Sequence, residues 1–260
     1  MAIEVFNRYE NKYLMDTSTF KNLYNRLMAH MELDAYNKND QYYSISNLYY
    51  DTEHHSLIRT SLSKTKYREK LRVRAYGVPE ADAKVYLELK KKVFGLVNKR
   101  RTSLTLSEAY DFVRTGQAPA YREGMNRQVI QEIEYFLSRY ELQPMMYLAY
   151  DRIAMFCRGN RGLRITFDTN IRSRRYDLQL EAGDYGDQLM EEGQWLMEVK
   201  AEKTIPVWLS KLLSELQMYR TSFSKYGNEY KKSIRGAKAD AVTSASIMND
   251  QSIQKELILI

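Results

Sequence analysis

Six short segments of this chain carry charged side chains at every second position. In Lys70-Leu71-Arg72-Val73-Arg74 the three cations share one face of an extended strand, and Leu71 and Val73 share the other. In VYLELK, Tyr86, Glu88 and Lys90 oppose Val85, Leu87 and Leu89. In LRITFD, Arg164, Thr166 and Asp168 alternate with Leu163, Ile165 and Phe167. In WLMEVK, Glu198 and Lys200 alternate with Trp195, Met197 and Val199. Arg8, Glu10 and Lys12 share a face near the start, and Lys99 and Arg101 do so in VNKRRTSLTL. In a single strand this alternation is the ordinary mark of a solvated sheet face. The set points elsewhere. Half of its cations are arginine, whose planar fork binds phosphate oxygens two at a time. The charged face also recurs beside an opposite face rich in Leu, Val, Ile, Phe and Trp, which must be covered.

Helical segments supply that cover. Asp16 or Thr17 can cap a helix with Phe20, Leu23, Leu27 and Met31 on one stripe. Ser107 is expected to cap a short helix that ends before Gly116. Residues 124–140 place Val129, Ile133, Phe136 and Tyr140 at helical spacing, and Pro206 is expected in the first turn of a helix carrying Leu209, Leu212, Leu213 and Leu216. With helices outside, the charged faces point to the centre of a curved sheet. A barrel of about eight strands has an interior wide enough for side chains or one slim ligand. Lining it with Arg and Lys is prohibitive unless water and an anion fill it. The expected fold is therefore α+β, an antiparallel β-barrel tunnel of about eight strands with helices packed outside.

Composition agrees. The chain has 260 residues, 44% hydrophobic, with a net charge of +7 that favours a polyanionic partner. No run of 18 apolar residues offers a membrane span, and the N-terminus has no secretory pattern, so a cytoplasmic location is expected. Cys157 is the only cysteine, which excludes an internal disulfide and a Cys-based zinc site. His30, His54 and His55 fall outside the charged segments and read as surface residues. No aromatic-rich RNA-binding signature accompanies the bases, so no nucleic acid is expected. No linker interrupts residues 1–235, which read as one domain. Residues 236–260 read as a tail, its first half mobile and its final LILI able to dock.

The stretches RYENKY, SNLYYDT, KLRVRAYG, VYLELKKK, VNKRR, YDR, LRITFDTN, MEVK and FSKYG, in this order across residues 5–232, resemble the VTC domain, in its bacterial stand-alone form. That family is the polyphosphate polymerase branch of the triphosphate tunnel metalloenzymes, which also include RNA and thiamine triphosphatases and CYTH-type adenylyl cyclases. The resemblance implies that ATP gives its γ-phosphoryl group to a growing polyphosphate chain, assisted by Mn2+ or Mg2+. It implies phosphate-gripping, catalytic roles for Lys12, Arg72, Arg74, Arg152, Arg164 and Lys225. Lys90, Lys99, Lys200, Arg8 and Arg101 would add phosphate contacts. Glu198 matches the family's metal-binding glutamate; Glu10 and Glu88 are second choices, since each could instead hold a tunnel arginine, and Asp168 shares that ambiguity. Tyr49, Tyr50 and Asp51 match family residues expected to brace the barrel. The chain departs at Arg8, where the wider superfamily has an acid, and at Ser222, where another base is expected. The first fits the polymerase branch better than a two-metal hydrolase; the second leaves the grip on nucleotide or product open. ATP and polyphosphate are the implied partners, with a membrane protein as a further partner for export; oligomeric state is left open. The rival readings are a tunnel triphosphatase and a non-catalytic polyphosphate-binding module.

Overall fold

The computed structural model describes residues 9–37, 41–94, 96–123, 125–202 and 204–236. Arg8 and the tail beyond Gly236, including LILI, lie outside these residues. The chain divides after Phe223 into two compact units. In chain order the first holds β1 (Tyr9–Asp16), α1 (Thr17–Leu27), β2 (Met31–Leu33), β3 (Tyr43–Asp51), α2 (Ser56–Leu62), β4 (Tyr67–Tyr76), β5 (Lys84–Val93) and β6 (Leu96–Thr105). It continues with α3 (Leu106–Thr115), α4 (Arg127–Arg139), β7 (Gln143–Cys157), β8 (Asn160–Arg174), β9 (Asp187–Gln188), β10 (Gln194–Ala201) and α5 (Val207–Glu215). The described part of the second unit contains one helical run, residues 225–236.

The sheet runs in the order β1-β10-β8-β7-β3-β4-β5-β6, with β2 added to β7 and β9 added to β8. Every pairing is antiparallel. The eight-stranded path is the expected architecture; β2 and β9 are short additions that the alternation did not predict. Among the described residues no pairing joins β1 to β6, so the sheet is a curled, open barrel. Thr221 pairs with Lys12 and blunts the free edge of β1.

The buried apolar residues of these strands lie under helices. Leu71, Val73, Val85, Leu87, Leu89 and Leu104 pack with Phe112 of α3 and Val129, Ile133 and Phe136 of α4. Tyr13, Met15, Ile165, Phe167, Trp195, Met197 and Val199 pack with Phe20, Leu23 and Leu27 of α1 and Leu209, Leu212 and Leu213 of α5. The Phe20 ring stacks on Trp195 at 3.7 Å. The long strand β7 joins the two cores, giving Tyr147 and Ala149 to the first and Ile153, Met155 and Cys157 to the second. Lys91 and Arg100, which point outward, both meet Glu132 and fasten α4 to β5 and β6.

The helix ends follow local chemistry, with three corrections. Asp16 caps α1, accepting from the Thr19 N–H at 2.7 Å. Met31 is not on that helix; the chain turns after Leu27 and Met31 begins β2. Thr105, not Ser107, caps α3, because Glu108 three residues on completes a capping box with it. Pro206 is the N-cap of α5 and precedes its first turn. The α3 end at Gly116, with φ of 72°, is as expected.

Helix α2 has an unusual start. Its N-cap, His55, is left-handed and contributes no side-chain cap. Asp51 supplies it instead: Oδ1 accepts from the N–H groups of Thr52 and Leu57 at 2.8 Å, and Oδ2 from Ile58 at 2.9 Å. Asp51 is completely buried. Asp51→Ala strands these donors and should destabilise the fold by about 1–3 kcal/mol, read as a lower urea midpoint at unchanged slope. An unmoved midpoint would refute the bracing role.

Candidate functional site

Antiparallel register turns the sequence alternation into rungs. Residues directly opposite one another on neighbouring strands share a face. Lys12 faces Glu198, and Glu10 faces Lys200. Glu198 faces Thr166, and Lys200 faces Arg164. Arg152 faces Asp168. Tyr49 faces Arg72, and Asn47 faces Arg74. Lys70 faces Lys90, and Arg72 faces Glu88. Lys90 faces Lys99, and Glu88 faces Arg101. All lie on the face opposite the helices. The curl then brings β1 and β10 towards β4 and β5: Lys12 acts electrostatically on Lys70, and Lys90 feels Glu10, Lys12 and Glu198.

Glu88 organises one wall. It is 1% exposed. Its Oε2 accepts from Arg72 Nε at 2.9 Å and Nη2 at 2.7 Å, and its Oε1 from Lys99 Nζ at 2.5 Å. Arg74 Nη1 lies 3.8 Å away. Burial alone would raise the Glu88 pKa, but Arg74, Lys99 and Arg72 outweigh it and hold the carboxyl well below its ordinary range. Arg72 Nη1 also donates to the Tyr49 hydroxyl at 2.8 Å. Arg74 donates to Asn47 Oδ1 at 2.9 Å and to the Tyr150 hydroxyl at 3.1 Å. Both guanidinium groups are thus fixed before any ligand arrives. With its oxygens engaged by cations, Glu88 serves as their holder, not as an open metal ligand.

The other walls use the same device. Buried Arg152 pairs bidentately with buried Asp168 at 2.6 and 2.8 Å. Arg164 Nη2 meets Asp34 Oδ2 at 3.1 Å, from the loop after β2. Lys12 Nζ sits between Glu198 Oε1 at 3.1 Å and Glu10 Oε1 at 3.4 Å, and donates to the Phe223 carbonyl at 2.9 Å. Lys200 Nζ donates to Glu198 Oε2 at 2.7 Å. Burial disfavours the Lys12 charge, but Glu198 and Glu10 reverse this and raise its pKa.

The remaining lysines are crowded. Burial, aided by Lys90, Lys12 and Arg72, pushes Lys70 down to about 8. Burial, with Arg74 and Arg72 working against Glu88, pushes Lys99 down to about 7. Lys90 is exposed to solvent, yet the surrounding chain still lowers its pKa by desolvation. Water reaches this space, but the walls hold bulk solvent back. Among the described residues, the buried Thr166 Oγ1 and Arg164 Nε on the same face have no hydrogen-bond partner. Excess positive charge, access for water and unanswered donors together describe a site for a multiply charged oxyanion.

Of the expected site residues, the fold gathers Glu10, Lys12, Arg72, Arg74, Glu88, Lys90, Lys99, Arg152, Arg164, Glu198 and Lys200 on one concave face. Arg101 lies at its margin, its guanidinium 4.4 Å over the Tyr86 ring. Lys225 belongs to the helical run of the second unit. Tyr49 lines the concave face, whereas Tyr50 belongs to the first apolar core and Asp51 caps α2. Lys70, Asn47, Tyr150 and Asp34 were not among the expected site residues. Lys70 shares the face of Arg72 and Arg74, so parity alone could have added it. No local signal marks Asp34. Among the described residues no three acidic, histidine or cysteine side chains form a metal cluster. The nearest approach is the Glu10–Glu198 pair, whose shared cation position is filled by the Lys12 ammonium.

Over residues 7–234 the chain matches the family described as the VTC domain. The chain belongs to the VTC domain family. This VTC domain is 24% identical, over 265 aligned residues, to vacuolar transporter chaperone complex subunit 4 of Schizosaccharomyces pombe, covering 85% of this chain and 36% of that protein. It therefore spans about a third of the length of that relative. A solved structure of a candidate adenylate cyclase from Bacillus halodurans is similar in fold, with a TM-score of 0.53 and 15% identity over 85% of this chain and 96% of that one. A Hippeastrum protein described as a candidate adenylyl cyclase that reveals a dominant triphosphatase activity aligns at a TM-score of 0.46 and 17% identity, over 84% of this chain and 92% of its own.

The crowding of this VTC domain has a thermodynamic consequence. The unfolded chain holds its lysine protons up to the ordinary value of 10.5, whereas folded Lys70 and Lys99 release theirs near 8 and 7. Between these limits the unfolded state binds more protons, so these groups make stability rise with pH. Melting temperature should climb more steeply from pH 7 to 9 in wild type than in a Lys70→Met, Lys99→Met variant. Parallel profiles would show that the two lysines are not crowded.

Proposed function

We propose that this chain transfers the γ-phosphoryl group of ATP to a growing polyphosphate chain held in the bore. The observation that carries the reading is a water-accessible concave face whose cations outnumber their carboxylates, crowded enough to depress Lys70 and Lys99. A linear polyphosphate carries one negative charge per link and relieves that repulsion along its whole length. The similarity to a vacuolar transporter chaperone subunit supports the same reading. That relative is a subunit of a complex, and we extend the proposal to a partner, a membrane protein included, and to a cytoplasmic location. No described helix is long and apolar enough to cross a membrane.

The chemistry asks little of the protein beyond position and charge. A terminal oxygen of the acceptor forms a bond to the γ-phosphorus, the bond from that phosphorus to the β,γ-bridging oxygen breaks, and ADP leaves with the electron pair. The acceptor oxygen is already anionic, so no general base is needed. Arg72 and Arg74, fixed by Glu88, Tyr49, Asn47 and Tyr150, take the role of binding non-bridging oxygens; Lys12, Lys70, Lys90, Lys99 and Lys200 take that of distributed counter-charges. Arg152 and Arg164, held by Asp168 and Asp34, extend the grip. Glu198 and Glu10 fit a divalent cation, Mn2+ or Mg2+, because they already share one cation position from adjacent strands; phosphate oxygens and water would complete its oxygen shell. Such an ion, when bound, would neutralise charge on the phosphate oxygens.

Incubation with ATP and Mn2+ should yield long anionic polymer and stoichiometric ADP. Arg72→Ala should reduce synthesis by about 100- to 1000-fold, the usual cost of losing one pre-organised charge, and Glu198→Gln should raise the metal requirement. Free phosphate without polymer would replace this reading by triphosphate hydrolysis. Binding without turnover, unaffected by Glu198→Gln, would leave a non-catalytic module.

A further inference from the structure

Four tyrosines gather at one end of the bore, outside both apolar cores. Tyr36 follows β2, Tyr43 begins β3, Tyr76 ends β4 and Tyr86 lies on β5. The Tyr36 and Tyr76 rings stack with centroids 5.1 Å apart and planes 2° from parallel. Tyr43 lies 5.8 Å from Tyr36 and 5.9 Å from Tyr76. Tyr86 meets Tyr76 edge-on at 5.9 Å. Arg101 lies over the Tyr86 ring.

These rings are not placed as packing residues are. Tyr36 is 58% exposed and Tyr76 37%. Tyr36, though stacked on Tyr76, keeps more than half of its surface open to solvent. Leaving such rings in water forgoes the burial that aromatic side chains ordinarily supply. Their register is also informative. Tyr76 stands two residues beyond Arg74 on the same strand face, Tyr86 two before Glu88, and Tyr43 opposite Arg152. A two-residue step along a strand is roughly 7 Å, so the rings begin one such step from the arginine grip. A sugar and one ester linkage can bridge that gap. Burial also raises the phenol pKa values of Tyr43 and Tyr76, so neither ring adds negative charge beside a phosphate.

We propose that this tyrosine cluster is the stacking platform for the base of the nucleotide donor, with Tyr36 as the outer contact. The proposal rests on the reading of the bore as a nucleotide and polyphosphate site. Every base has a π-face, so a platform of this kind recognises the presence of a base more than its identity, and purines, with the larger ring, gain most.

The test compares calorimetric binding of a non-hydrolysable ATP analogue and of inorganic tripolyphosphate to wild type, Tyr36→Ala and Tyr36→Trp. Tyr36→Ala should weaken the nucleotide analogue by roughly 5- to 100-fold, the range for loss of one stacking contact. It should leave tripolyphosphate, which has no base, within twofold, and this also reports that the bore is still folded. Tyr36→Trp should retain or improve nucleotide binding. Equal weakening of both ligands by Tyr36→Ala, or weakening of neither, overturns the platform while leaving the bore's function intact. Failure of wild type to bind either ligand overturns the function itself and the platform with it.

Discussion

A single buried carboxylate, Glu88, surrounded by Arg72, Arg74 and Lys99, shows the constraint on which this structure depends. Cations drawn together inside a protein repel one another and lose water, and either effect alone can unfold a chain. Here each of these groups of cations keeps an acidic anchor, and one group keeps two. Asp168 serves Arg152, Asp34 serves Arg164, and Glu198 with Glu10 serves Lys12 and Lys200. The anchors are enough to hold the fold and too few to neutralise the bore. What charge remains is available to a ligand.

Arginine and lysine divide this work. Guanidinium groups stay charged under all ordinary conditions and hold a fixed fork, so they suit the anchored positions against Glu88 and Asp168. Lysines respond to crowding by holding their protons less tightly, as Lys70 and Lys99 do. The lysines are thus the groups whose charge answers to crowding, while the arginines keep their charge and geometry. Outside, two apolar cores under α1 and α5 and under α3 and α4 carry the stabilising burial, and none of it needs the bore to be dry.

Much of this was legible in one dimension. The six alternating segments are all strands, and in each the apolar partners face helices. The Asp16 cap and the Gly116 stop were readable from neighbouring residues alone. Errors fell where two local signals compete. Thr105 and Ser107 are both plausible caps, and Glu108 decides between them by its distance from each. Met31 continues a helical stripe by spacing, but it pairs opposite Cys157 as the start of β2. In the runs KKK and KRR, parity correctly separates inward Lys90, Lys99 and Arg101 from outward Lys91 and Arg100, which bind Glu132 on α4.

The sequence by itself determined which side chains share a face, because the pleat alternates neighbours with a period of two regardless of the rest of the fold. It could not determine which faces meet. Arg164 finds Asp34 at a separation of 130 residues. Lys12, on the first strand, feels Lys70 on a strand near the other end of the sheet. Tyr36, on a loop, completes a cluster begun on three different strands. Those meetings were decided by the curl of the sheet, which sums small twists over many strands and leaves no periodic trace in any one of them.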